Sequence, residues 1–115
     1  MATTLIRDAA PDKLVYARWV LANGEAGEPL ESAPYADKTV HFFGTFGSGG
    51  KVDLEGSNDP TKTEWFPLVD PQGNAISKSG NSGETILENP RFIRPRVVTG
   101  DGDTAITVVI VAKKV

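Results

Sequence analysis

KTVHFFGTFGSGGKVDLEGSND, running from Lys38 to Asp59, is the stretch that decides the fold class. Val40, Phe42, Gly44 and Phe46 alternate with His41, Phe43 and Thr45, a period of two that marks a β-strand. Gly47-Ser48-Gly49-Gly50 supplies residues that tolerate positive φ, so the stretch reads as a tight reversal. Beyond it, Val52 and Leu54 lie on one side, with Lys51, Asp53 and Glu55 on the other. That is the pattern of a half-buried antiparallel strand. The expectation is strand, hairpin turn, strand, closed by the Gly56-Ser57-Asn58-Asp59 corner.

The rest of the chain extends this reading. Arg91 to Thr99 and Thr104 to Lys113 flank Gly100-Asp101-Gly102-Asp103. Asp-Gly between β-branched runs predicts a second hairpin. In the last strand Ile106, Val108 and Ile110 share one face, and Val109 and Val111 the other. A strand that is apolar on both sides needs a cover on its second face, supplied by the N-terminal arm or by a partner subunit. Trp65 to Val69 is a strand that Pro67 confines to an edge or a bulge. Asp70-Pro71-Gln72-Gly73 is a β-turn, and Asn74 to Ser77 resumes extended chain. Residues 78–85, KSGNSGET, read as a flexible loop, and Ile86-Leu87 as a short strand before Asn89-Pro90. Upstream, Lys13 to Ala22 admits a short helix, but Val15, Tyr16, Trp19 and Val20 favour a strand. Residues 1–12 read as an extended arm. Residues 23–37 read as a surface loop that could cross to a neighbouring subunit. Seven or eight strands predict an all-β, antiparallel two-sheet sandwich, jelly-roll or immunoglobulin-like, with an extended N-terminal arm. The division expected is 1–37 for arm, strand and loop, and 38–115 for the sandwich body, within a single domain.

Composition narrows the function classes. The 115 residues suit one domain and bury enough surface to fold without a metal or disulfide. There is no cysteine, which excludes a disulfide framework, a thiolate metal site and a cysteine nucleophile. With 12 basic and 15 acidic residues the net charge is −3, which disfavours duplex nucleic acid as a partner. The first residues, MATTLIRDAAPDK, hold no apolar core of a signal peptide. No run approaches the roughly 20 apolar residues of a membrane span.

Residues able to do chemistry are sparse. His41 is the sole histidine and stands mid-strand with no nucleophile motif beside it. Asp53 and Glu55 share one strand face about 7 Å apart, a carboxylate pair that is more simply a solvated face. Asp101, Asp103 and Asp59 offer oxygens to Ca²⁺ but lack the offsets and closing Glu of a calcium loop. The glycines at 44, 47, 49 and 50 lack the Lys-Ser/Thr and helix of a phosphate loop. Arg91, Arg94 and Arg96 pair with Glu64, Glu84 or Glu88, or serve a subunit boundary. Trp19, Trp65 and Tyr16 are aromatic anchors of a core. No catalytic residue, cofactor or metal is expected.

Two resemblances add to this. Glu55 to Asp59, then Trp65, then Arg91-Phe92-Ile93-Arg94 resembles the pattern of discoidin-like (F5/8 type C) β-sandwich domains over residues 52–98. Across most of the chain, the aromatic N-terminal strand, "ADKTV…GTFGSG…V.LEGSND", "W..L.DPQGN.I" and "ENPRFIRP.V..GDG.T…V…AK" resembles small tailed-phage head decoration (cement) proteins. That resemblance implies a virion protein made in the host bacterial cytoplasm. It would bind the major capsid protein on the outer capsid surface, as a homo-oligomer such as a trimer, with neither nucleic acid nor membrane as partner. Contacts are expected at Leu5, Tyr16, Trp19, Pro29, Tyr35, Arg91, Arg94, Arg96, Val109 and Val111. A tail or baseplate component and a carbohydrate-binding module are the alternatives.

Overall fold

The computed structural model describes residues 14–114 in full and residues 6–9 by their backbone. Among them are ten strands: β1 (Ile6–Ala9), β2 (Leu14–Leu21), β3 (Leu30–Glu31), β4 (Asp37–Thr45), β5 (Lys51–Ser57), β6 (Phe66–Pro67), β7 (Ser77–Lys78), β8 (Ser82–Thr85), β9 (Phe92–Thr99) and β10 (Ala105–Lys113). No described residue is helical. One sheet has the order β1-β2-β10-β4-β8 and the other β3-β9-β5-β6, with β7 also paired to β5. The strand pairings are antiparallel throughout. The protein is an antiparallel two-sheet β-sandwich, as the alternating pattern predicts.

The inward residues of both sheets fill the space between them. Val15, Ala17, Trp19 and Leu21 of β2 alternate with outward residues and are fully buried. Ile106, Val108 and Ile110 of β10, Phe42 of β4, Leu54 of β5 and Ile93 of β9 meet them from the other strands. Burying one such side chain contributes about 1.5–3 kcal/mol. The indole N–H of Trp19 donates to the carbonyl of Glu28 at 2.8 Å, so its one polar atom is satisfied inside the core.

Two expected hairpins are absent. β4 lies in the first sheet and β5 in the second, so residues 46–50 form a corner between sheets. Likewise β9 and β10 lie in different sheets, and Gly100 to Thr104 is a second corner. The physical reason is burial: Phe46 turns inward and is closed off between the layers, carrying the chain across. The glycines are required there for space. A Cβ on Gly50 would sit 1.7 Å from the Phe46 carbonyl oxygen. The two corners are tied together. The Thr104 hydroxyl donates to the Phe46 carbonyl at 2.8 Å, and the Ser48 amide donates to Asp101 Oδ2 at 2.7 Å.

Other segments also differ from expectation. By contrast, the strand favoured for Lys13 to Ala22 is found over Leu14–Leu21, which pairs along its whole length with β10. Residues 78–85 are not all loop: Ser82–Thr85 pairs with β4, because the edge of β4 opposite β10 offers unpaired backbone groups. Ile86-Leu87 is not a strand, although both amides donate to neighbouring carbonyls. Residues 23–37 dock on the body. Leu30 and Ser32 are fully buried, and β3 pairs with β9. β1 pairs with β2 edge to edge, Ile6 opposite Arg18 and Ala9 opposite Val15. Residues 6–9 therefore extend the first sheet and do not lie across its face.

Candidate functional site

The outer face of the first sheet is built by the period of two. On β2 the outward residues are Tyr16, Arg18 and Val20, all exposed. The register sets Val20 beside Thr107, and Thr107 beside Phe43. In the next row Arg18 faces Val109, which faces His41. In the third, Tyr16 faces Val111, which faces Thr39. Tyr16 and Val20 are each 42% exposed, high for large apolar side chains. The ring of His41 tilts against Phe43, with centroids 4.8 Å apart. The result is a face that mixes apolar side chains with Arg18, His41 and Thr39, and register sets Asp8 of β1 opposite Tyr16 at its margin.

The outer face of the second sheet is polar. Register places Glu55 opposite Arg94 and Asp53 opposite Arg96. Arg94 Nε reaches Glu55 Oε1 at 3.0 Å, and Arg96 reaches Glu55 Oε2 at 3.5 Å. Arg91 reaches Glu31 at 3.5 Å. The partners of Arg94 and Arg96 are thus set by the β5–β9 register and that of Arg91 by the pairing of β3 with β9, and none is Glu64, Glu84 or Glu88. Glu84 pairs instead with Lys78 at 2.6 Å, and Glu88 accepts the Val69 amide at 2.9 Å. The Arg94 guanidinium stacks over Trp65 at 4.1 Å. Trp65 is held by its indole N–H, which donates to the Lys62 carbonyl at 2.9 Å.

The carboxylates with chemical potential are occupied by turns and ion pairs. Asp53 accepts the Ser77 hydroxyl. Asp101 accepts the amides of Ser48 and Asp103, which hold its carboxyl below the usual carboxylate range. Asp59 accepts the hydroxyl and amide of Thr61 and those of Thr63. These bonds, Thr61's hydroxyl first, hold its carboxyl far below the usual range. Lys38 is almost wholly buried. Its ammonium donates to the Tyr35 carbonyl at 3.0 Å and to Asn89 Oδ1. Burial lowers its pKa, while Asp37 and Glu88 act in the opposite sense. Among the described residues no three His, Asp or Glu side chains converge to hold a metal ion. A shallow, open depression lies at the β4–β8 edge, lined by Thr39, Val40, Gly83, Glu84 and Thr85.

The expected contact residues divide among several places. Tyr16, Val109 and Val111 come together on the first outer face. Arg91, Arg94 and Arg96 lie on the opposite side of the molecule. Trp19 is fully buried, so it shapes the core and is closed to a partner. Tyr35 packs partly against the core, with the Lys114 ammonium 6.0 Å from its ring, and Pro29 is half-buried beside β3. Leu5 lies outside the described residues. Arg18, Val20 and Phe43 were not singled out from the sequence. The signal was present, since they share the period of Tyr16 and His41.

No protein-family model and no curated protein matches the chain. Solved structures do. The chain is similar to the SPBc2 prophage-derived protein YomS at 11% identity, over 97% of this chain and 98% of that one, with a TM-score of 0.63. It is similar to a cupin domain from Bordetella pertussis Tohama I at 13% identity, over 99% and 95% of the two chains, with a TM-score of 0.54. It is also similar to an oxalate oxidase at 12% identity and a TM-score of 0.57, where it spans about half (51%) of that chain. Identities this low show likeness of fold alone. Cupin domains are jelly rolls, so of the two sandwich types expected, the likeness is to the jelly roll.

Proposed function

We propose that this chain is a structural protein of a tailed-phage virion, a head decoration protein that seats on the outer capsid surface and stabilises the shell. The observation that carries the reading is the outer face of the first sheet. It leaves Tyr16 and Val20 open to solvent on the strand that pairs with the doubly apolar β10. Patches of this kind are characteristic of binding surfaces. The fold likeness to a prophage-derived protein over nearly the full length of both chains supports the same reading. So does the occupation of the candidate catalytic carboxylates by turns and ion pairs. In this reading the partner is the major capsid protein, the protein assembles as a trimer about local threefold positions, and its action is adhesion. A lasting contact of this sort would bury at least about 1,000 Å².

The test is copy number. Purified particles of the phage encoding the chain should carry it in proportion to the major capsid protein, in hundreds of copies by quantitative mass spectrometry. A handful of copies confined to the tail fraction would replace this reading with a tail or baseplate role. Absence from particles would end both.

A further inference from the structure

We propose that the Ala22–Glu25 turn is a site of spontaneous covalent change, in which Asn23 closes onto the amide of Gly24, loses ammonia and becomes a mixture of aspartate and isoaspartate. This chemistry is independent of the capsid reading.

Asn23 and Gly24 are the central residues of the turn that follows β2, and both are exposed. The Glu25 amide donates to the Ala22 carbonyl at 3.1 Å, and the Ala22 amide donates to Glu25 Oε1 at 2.8 Å, so the two ends of the turn are held. Its middle is not. Among the described residues no group bonds the Asn23 carboxamide or the Gly24 amide. Gly24 has a φ of 78°, and nothing stands within 4 Å of where its Cβ would be. The Gly24 nitrogen therefore approaches Asn23 Cγ with no side chain in the way.

The reaction needs only water. The Gly24 nitrogen gives its proton to solvent and forms a bond to Asn23 Cγ. The Cγ–Nδ2 bond breaks, and Nδ2 takes up a proton and leaves as ammonia. Water then opens the cyclic imide at either carbonyl. Attack at Cγ gives aspartate, and attack at the backbone carbonyl carbon gives isoaspartate.

The chain has four other asparagines, and none combines these features. Asn89 precedes Pro90, which has no N–H to attack with. The carboxamides of Asn58 and Asn81 are engaged, accepting the amides of Arg91 at 2.9 Å and Gly44 at 3.2 Å. Asn74 precedes Ala75, whose Cβ crowds the approach that Gly24 leaves open, and its own amide and carbonyl are tied to Asp70. At Asn23 the product has a structural consequence. Isoaspartate inserts a methylene into the backbone of a tight turn. The Glu25 carbonyl accepts the Val97 amide at 2.8 Å, so that turn helps anchor residues 23–32 on the second sheet.

The experiment ages the purified, folded chain in mildly alkaline buffer and maps its peptides by mass spectrometry. The peptide spanning Asn23 should gain about 1 Da and separate into two isomers. With no Cβ on Gly24, this should run about tenfold faster than change at any other asparagine. Asn23 intact after Asn58, Asn74 or Asn81 has reacted would overturn the proposal, as would aspartate formed without isoaspartate. Asn23→Gln keeps a carboxamide on the turn but alters its reach. It should lose the acidic species that anion exchange resolves in the aged parent, and the same species appearing at the parent's rate would also overturn the proposal. Asn23→Asp keeps the backbone length and should melt close to the parent, whereas the isolated isoaspartyl form should melt lower. Equal melting of those two forms would remove the anchoring role given to the turn.

Discussion

At Gly27 a single methyl group decides whether the core closes. A Cβ there would sit 2.5 Å from Trp19 Cδ1 and 2.9 Å from Pro95 Cδ, both fixed by packing. Gly27→Ala should therefore lower stability by about 1–3 kcal/mol, read from urea unfolding of the indole fluorescence. An effect below a few tenths would mean that the 23–37 segment shifts freely. The titrating residues make predictions with definite signs. Asp59 and Asp101 have lower pKa values folded than unfolded, so the unfolded chain takes up more protons as acid is added. Their contribution is present above about pH 4 and lost as pH falls below it. The gap in melting temperature between the parent and Asp59→Asn should accordingly shrink between pH 5 and pH 2. Lys38 has the opposite sign: burial sets its folded pKa below the ordinary 10.5. Between the two values the unfolded chain holds more protons, so stability rises with pH. The parent should gain on Lys38→Met as pH is raised towards 10, and a flat difference would mean that Lys38 is solvated in the folded state. None of this was visible in the sequence. Lys38 is in phase with the inward Val40 and Phe42, but a lysine at such a position ordinarily argues for solvent. Only the closing of Tyr35 and Asn89 over it shows which prevails.

The elements are held at the two corners as much as along the strands. Thr104 is buried, donates to the Phe46 carbonyl and accepts the Asp101 amide at 2.9 Å. Thr104→Val keeps the shape and removes both bonds, leaving a buried carbonyl and an amide without this partner. The expected cost is about 1–3 kcal/mol, measured by chemical unfolding. The corners are also where sequence reading failed in an instructive way. Gly47 to Gly50 and Gly100 to Asp103 carry the residues that tight turns need, and turns do form there. A turn motif reports local φ and ψ, however, and says nothing about which strand lies alongside. β4 finds its neighbours in β10 and β8, and β5 finds its own in β9, β6 and β7. Strand existence and facing were legible for 38–46 and 51–57 because half-burial imposes the period of two. The short strands β6, β7 and β8 were less so, since two to four residues carry too little periodicity. The partners of Arg94 and Arg96 were missed for the same reason, since register is a property of a pair of strands.

For the whole molecule, the pairings of β2 with β10, β4 with β10 and β5 with β9 join residues far apart in sequence. Chain closure must precede those contacts, so refolding should take milliseconds to seconds, and stopped-flow fluorescence would check it. A microsecond phase accounting for the full change would contradict this topology. The chain's own residues determined a good deal: an all-β architecture, two faces per strand, a filled apolar interior, and a last strand that is apolar on both sides. These follow because alternation and composition are local, and burial acts on each strand separately. Only the tertiary structure decided which strands are neighbours, that both glycine-rich segments cross between sheets, and that Trp19 is sealed inside while Tyr16 stands outside. Those are properties of surfaces assembled from distant segments, and no stretch of chain read in isolation contains them.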